Sequence, residues 1–146
     1  MSRPGKIVCV GRNYREHAKE LGNDVPSAPL LFLKPPSAVI APGAPIVMPA
    51  ASQRVDYEGE VGVVVGVTLR KATPAQCRVG IRGIVARNDV TARDLQKSDG
   101  QWSRAKGFDT FCPIGPEWTG APPLDAITVV TRVNGEEKQR ASSAEM

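Results

Sequence analysis

The sequence predicts a β-rich α+β fold, and three observations carry that expectation. The 146 residues include 14 Gly and 13 Pro, a density of turn formers that suits many short strands and argues against a helix bundle. Short apolar runs rich in β-branched residues, of which residues 61–65 are the clearest, recur between these turn formers. Asn134-Gly135 is the two-residue signal of a type I′ hairpin turn.

Taken in chain order, the apolar run at residues 6–10 predicts a first strand. A helix over 14–21 follows, with Asn13 placed to cap its start and Gly22 to stop it. A second strand is expected at 30–33. The Pro-rich stretch 35–49 is expected to be irregular apart from a brief strand at 46–48. Residues 55–69 predict a long strand, alternating at first and then turning apolar. A helix over 74–79 leads to a buried strand over 81–88 and a short helical turn at 91–96, which Asp89 or Thr91 could cap. A strand at 127–133 passes through Asn134-Gly135 to a return strand at 136–140. Ser142 and Glu145 then stand at capping-box spacing, the signature of a helix start. There is one domain, 1–146, with no internal repeat and no low-complexity linker.

An apolar content of 41% supports one modest core, and 23% charged residues is ordinary for a globular domain. The net charge of +4 comes from scattered basic residues, and aromatics make up only 5%, so no stacking platform for nucleic acid is expected. The three cysteines are widely spaced and odd in number. They suggest neither a disulfide framework nor a zinc site, but reduced thiols in a cytoplasmic protein. The apolar run from Ile7 is too short for the core of a signal peptide, and no segment is long enough to span a bilayer, so no membrane partner is expected.

Three clusters carry chemistry. On one strand, Asp56, Glu58 and Glu60 would share a face, and their mutual repulsion points to a hard divalent cation. The plainer reading is a solvated strand face. Asp89, at the end of the strand over 81–88, would add a carboxylate. Glu58, Glu60 and Asp89 then form an all-oxygen set suited to Mg²⁺ or Mn²⁺. His17, the single histidine, and Glu20 lie three apart on the expected helix, an arrangement for taking a proton from water or else an incidental polar pair. Lys34 ends an apolar run, and Lys106 lies in a segment, 103–115, expected to be a Gly- and Pro-punctuated loop. Each could hold a substrate carboxylate or a developing enolate, or simply lie along the surface.

Five blocks, KIVCVGRNYREHAKELG, PLLFLKPPSAVI, VDYEGEVGVVVG, ARNDVTARDLQ and RAKGFDTFCPIGP, occur in this order and together resemble the fumarylacetoacetate hydrolase family, in particular its small acylpyruvase and oxaloacetate decarboxylase-like branch. The resemblance runs from Lys6 to the last residue and implies a mixed β-sandwich roll. It implies that Glu58, Glu60 and Asp89 hold Mg²⁺ or Mn²⁺, and that His17 and Glu20 activate water from a lid helix. It implies that Lys106 contacts the oxo-acid end of the substrate, and that Arg12, Arg93, Gln96 and Lys34 bind substrate. Asp56 is expected beside the ligands without joining them. The implied substrate is a 2-oxo or 2,4-dioxo acid that undergoes hydrolysis, decarboxylation or tautomerisation. Isomerisation and decarboxylation of 2-hydroxyhepta-2,4-diene-1,7-dioate is an alternative.

The resemblance also implies a further helix, further strands and a Gly-Thr-Pro loop after residue 146, and a homodimer for the longer form. The chain is therefore expected to be a truncated domain with open strand edges and marginal stability. A non-catalytic fragment is the competing expectation.

Overall fold

The structure, a computed structural model, describes residues 4–14, 27–120 and 123–146. Strands dominate, as the turn density predicts. Strand β1 (Ile7–Gly11) pairs antiparallel with β2 (Leu30–Lys34), placing Val8 opposite Leu33 and Val10 opposite Leu31. Alternation turns Cys9 and Lys34 inward, where both are buried, and leaves Val8, Val10, Leu31 and Leu33 exposed on the other face. After a 3-10 turn at Pro36–Ala38, β3 (Val39–Ile40) pairs in parallel with β8 (Cys112–Pro113).

Strand β4 (Val55–Asp56) pairs with β7 (Thr91–Ala92), and β5 (Gly59–Val65) pairs with β6 (Ile81–Asn88). The other side of β6 takes β9 (Trp118–Thr119). Helix α1 (Pro74–Val79) is closed at its start by a reciprocal pair of hydrogen bonds between Thr73 and Gln76. Helices α2 (Arg93–Ser98) and α3 (Ser103–Gly107) follow β7. Strands β10 (Thr128–Val133) and β11 (Glu136–Ser142) form the expected hairpin, with Asn134 at φ 53° and Gly135 at φ 82° supplying the type I′ turn.

Four expectations are corrected. The strand expected over 55–69 is two strands, broken at Tyr57 and Glu58 and ending at Val65, where its pairing with β6 runs out. Residues 46–48 form no strand. They are exposed, and among the described residues their one long-range hydrogen bond runs from the Val47 N–H to the Thr110 hydroxyl. The segment expected to be a loop around Lys106 contains α3, a single turn too short to show a helical period. Neither Asp89 nor Thr91 caps α2, whose N-cap is Ala92; the Thr91 hydroxyl instead donates to the Asp89 carbonyl at 2.8 Å. The helix expected over 14–21 lies, apart from Tyr14, outside the described residues.

Val90, Ala92, Leu95, Ala105 and Phe111 form the buried cluster, with Val55 and Phe108 packed against it. Each sits on or beside β4, β7, α2, α3 or β8, so this core underlies the junction where the two antiparallel ladders meet. No helix among the described residues is long and apolar enough to cross a membrane.

Candidate metal centre

The carboxylates converge because both ladders break at the same level. Between β4 and β5 the chain leaves the ladder at Tyr57 and Glu58, and between β6 and β7 it leaves at Asp89 and Val90. Two hydrogen bonds bridge the gap: Asp89 N–H to the Glu58 carbonyl at 2.8 Å, and Glu58 N–H to Asn88 Oδ1 at 2.9 Å. Strict alternation is thereby released, and Glu58, Glu60 and Asp89 each present a carboxylate oxygen, all within 4.8 Å of one another. Asp89 is only 1% exposed. Burial pushes the Glu60 carboxyl up to about 7, against the pull of Arg87 and with the added push of Asp89 and Glu58.

Cations surround the three acids. Lys106 Nζ donates to Glu58 Oε2 at 2.9 Å and Asp89 Oδ2 at 2.6 Å, and lies 5.0 Å from the centre of the Phe32 ring. Arg93 donates to Glu58 Oε1, to Asp56 Oδ2 at 2.9 Å and to Gln96 Oε1 at 2.9 Å. Asp56 is thus a fastening for Arg93, beside the three acids and outside their cluster. Lys34 Nζ donates to Asp89 Oδ1 at 2.7 Å and to the Val90 carbonyl at 3.1 Å. Arg87 Nη2 is 3.0 Å from both Glu60 Oε2 and Asp89 Oδ1, close in distance though its N–H groups are not aligned on them as hydrogen bonds. Burial would raise the Asp89 carboxyl, but Lys34, Arg87 and Lys106 outweigh it and hold it below the usual carboxylate range.

A pocket of about 560 Å³ opens over the acids. Arg12, Arg93, Gln96 and Lys106, all read from the sequence as site residues, line it with Glu58, Glu60 and Asp89. Arg12 reaches it from a left-handed backbone turn, φ 54°, at the end of β1. Lys34 does not line it and lies behind Asp89. His17 and Glu20 lie outside the described residues.

Tyr14, Phe32, Trp102 and the β11 segment from Lys138 to Ala141 also line the pocket, beyond the residues picked out from sequence as site residues. The Tyr14 hydroxyl is buried with no hydrogen-bond partner among the described residues. Burial, then Glu60 and Glu145, push it up to about 12, so it stays a phenol able to donate. Its place two residues after Arg12 was the available signal; nothing in sequence linked β11 to the acids. A second cavity of about 520 Å³, between residues 67–72 and α1, offers Arg70 as its one charged side chain.

The donor set fits a hard cation. It is all oxygen and preassembled, with one carboxylate oxygen from each of Glu58, Glu60 and Asp89 gathered within 4.8 Å in a half-buried space. The chain matches the sequence model of the family described as Fumarylacetoacetate (FAA) hydrolase C-terminal over residues 6–146. It belongs to the fumarylacetoacetate hydrolase family.

Within that family, oxaloacetate tautomerase YcgM of Escherichia coli is 41% identical over 97% of this chain and 68% of its own length. A Methanocaldococcus jannaschii relative with no stated activity is 47% identical over 99% of this chain and 61% of its own. The crystal structure of a 2-hydroxyhepta-2,4-diene-1,7-dioate isomerase from Mycobacterium marinum superposes with a TM-score of 0.88 at 42% identity, over 99% of this chain and 53% of the isomerase. This fumarylacetoacetate hydrolase family chain therefore spans about half to two thirds of the relatives it matches, and it shares their fold.

Proposed function

We propose that this chain carries the metal-binding and acid-orienting part of a divalent-metal-dependent enzyme acting on 2-oxo or 2,4-dioxo acids. The observation behind the proposal is the convergence of Glu58, Glu60 and Asp89 within 4.8 Å at the floor of a pocket that Lys106, Arg93 and Arg12 also line. Glu58, Glu60 and Asp89 would hold Mg²⁺ or Mn²⁺. When bound, the ion supplies Lewis acidity toward the oxo oxygen and the developing enolate. Lys106 and Arg93 bind and orient the substrate carboxylate, Arg12 faces it from the rim, and Gln96 fixes the plane of Arg93. The Tyr14 phenol is a donor for a substrate oxygen. His17 and Glu20 are proposed to move the proton in a hydrolytic reaction.

Keto–enol tautomerisation or decarboxylation of an oxaloacetate-type acid is the first reaction to test, on the strength of the named E. coli relative. Isomerisation of a hydroxydienedioate is the second, on the strength of the M. marinum structure. A small-molecule 2-oxo acid is the proposed partner, and a homodimer the proposed assembly of the longer form.

Calorimetric titration with Mg²⁺ and Mn²⁺, with and without oxalate as an enolate mimic, tests the reading. The expected result is metal binding that oxalate strengthens. Glu58→Gln should lose it by at least about 100-fold, since even outer partners of a ligand are worth 10–100-fold. Undiminished affinity in that variant would sink the ligand assignment.

A further inference from the structure

We infer that Lys34 and Arg87 form a buried brace that holds Asp89 to a single oxygen donor and thereby selects a small octahedral cation over calcium. The inference rests on the metal reading of Glu58, Glu60 and Asp89, and deepens it.

The two oxygens of Asp89 have different surroundings. Oδ1 receives Lys34 Nζ at 2.7 Å and has Arg87 Nη2 at 3.0 Å. Oδ2 faces the opposite way, toward Lys106 Nζ at 2.6 Å on the pocket wall. Lys34 serves the interior alone, because its side chain is fully buried, its ammonium also donates to the Val90 carbonyl, and it has no face on the pocket. Arg87 extends the brace to a second acid, with Nη2 also 3.0 Å from Glu60 Oε2, and it is anchored by Nη1 at 2.9 Å from Cys9 Sγ. Lys34 comes from β2 and Arg87 from β6, two separate sheets, so tertiary packing fixes the brace.

Calcium takes six to eight oxygens and commonly uses a carboxylate through both of its oxygens. Magnesium takes six in a tight octahedron, completed by water, and needs only one oxygen from each carboxylate. An aspartate whose Oδ1 is held in the interior by Lys34, with Arg87 3.0 Å away, and whose Oδ2 faces the pocket beside Lys106, can turn only Oδ2 toward a metal. That suits the octahedral ion and handicaps calcium. A purely structural ion pair would leave the choice of cation untouched.

Calorimetry on the full chain with Mg²⁺ and Ca²⁺ decides between these roles, comparing wild type with Lys34→Met and Arg87→Met after circular dichroism has shown each variant folded. The wild type is expected to bind Mg²⁺ at least as tightly as Ca²⁺. Either variant should shift the ratio of the two affinities toward Ca²⁺ by about tenfold or more, the scale of an outer partner's influence on a ligand. An unchanged ratio in a folded variant overturns the brace and leaves the metal reading standing. If neither variant folds, the wild-type ratio decides: a Mg²⁺ preference supports the brace, and a Ca²⁺ preference overturns it. Failure of the wild type to bind either ion overturns the metal reading, and the brace with it.

Discussion

Lys106 shows how much one buried side chain can be asked to do. It follows Ala105, which has no exposed surface, and its own exposure is 2%, so α3 delivers its ammonium to a fixed point between Glu58 and Asp89. A positive charge there repels a divalent ion and attracts an anionic ligand. Lys106→Met should therefore leave Mg²⁺ affinity unchanged or raise it, while the strengthening by oxalate falls by roughly tenfold or more, the worth of one charge-assisted hydrogen bond. Calorimetry with and without oxalate measures both, and equal losses in the two would contradict the role. At this scale the acids were legible because two of them lie two residues apart and the third ends a recognisable strand. Arg87 was not. Its link to Glu60 is a cross-strand pairing 27 positions away, visible only once the β5–β6 register is known.

The Glu58-Gly59-Glu60 segment explains at the level of elements why its central residue has no side chain. A Cβ on Gly59 would overlap the Thr131 hydroxyl and come within 3.3 Å of Thr131 Cβ. The β10–β11 hairpin thus packs directly on the backbone between two of the acids, and Gln139 Oε1 accepts the Gly59 N–H at 3.1 Å. Gly59→Ala should push the hairpin off β5, costing about 1–3 kcal/mol as overpacking does, and should weaken metal binding as both flanking glutamates shift. A thermal melt beside a Mn²⁺ titration would check it; an unaltered melting temperature and affinity would show that the contact is readily relieved. The long pairings and the Asn134-Gly135 turn were legible because hydrophobic alternation and turn chemistry are local. The two-residue strands β3, β7, β8 and β9 were not, because so short a segment has no period. The break at Tyr57 was hidden for a different reason: the sequence alternates straight through it, and the pairing partners decide where it falls.

The molecule as a whole exposes 9660 Å² of surface. A compact monomer of 15.6 kDa would expose about 7,200 Å². Apolar side chains contribute to it: Leu31 and Leu33 on the outer face of β2 are 60% and 61% exposed, and Val63 and Val65 on β5 are 48% and 55% exposed. Contiguous apolar strand faces of this kind are uncommon on stable monomers and favour association. A standard interface covers about 800 Å² per partner, so the excess is large enough for a stable one. The chain alone is therefore expected to melt at low temperature or over a broad range, and to self-associate as its concentration rises. Sedimentation velocity over a concentration series, paired with a thermal melt, tests this, and a sharp, concentration-independent monomeric transition would refute it. Leu33→Lys supplies the internal control. It charges the outer face of β2, away from the buried face that carries Lys34, so it should reduce association while leaving Mg²⁺ binding intact. If it abolished metal binding instead, the apolar face and the acid cluster would have to be one cooperative unit.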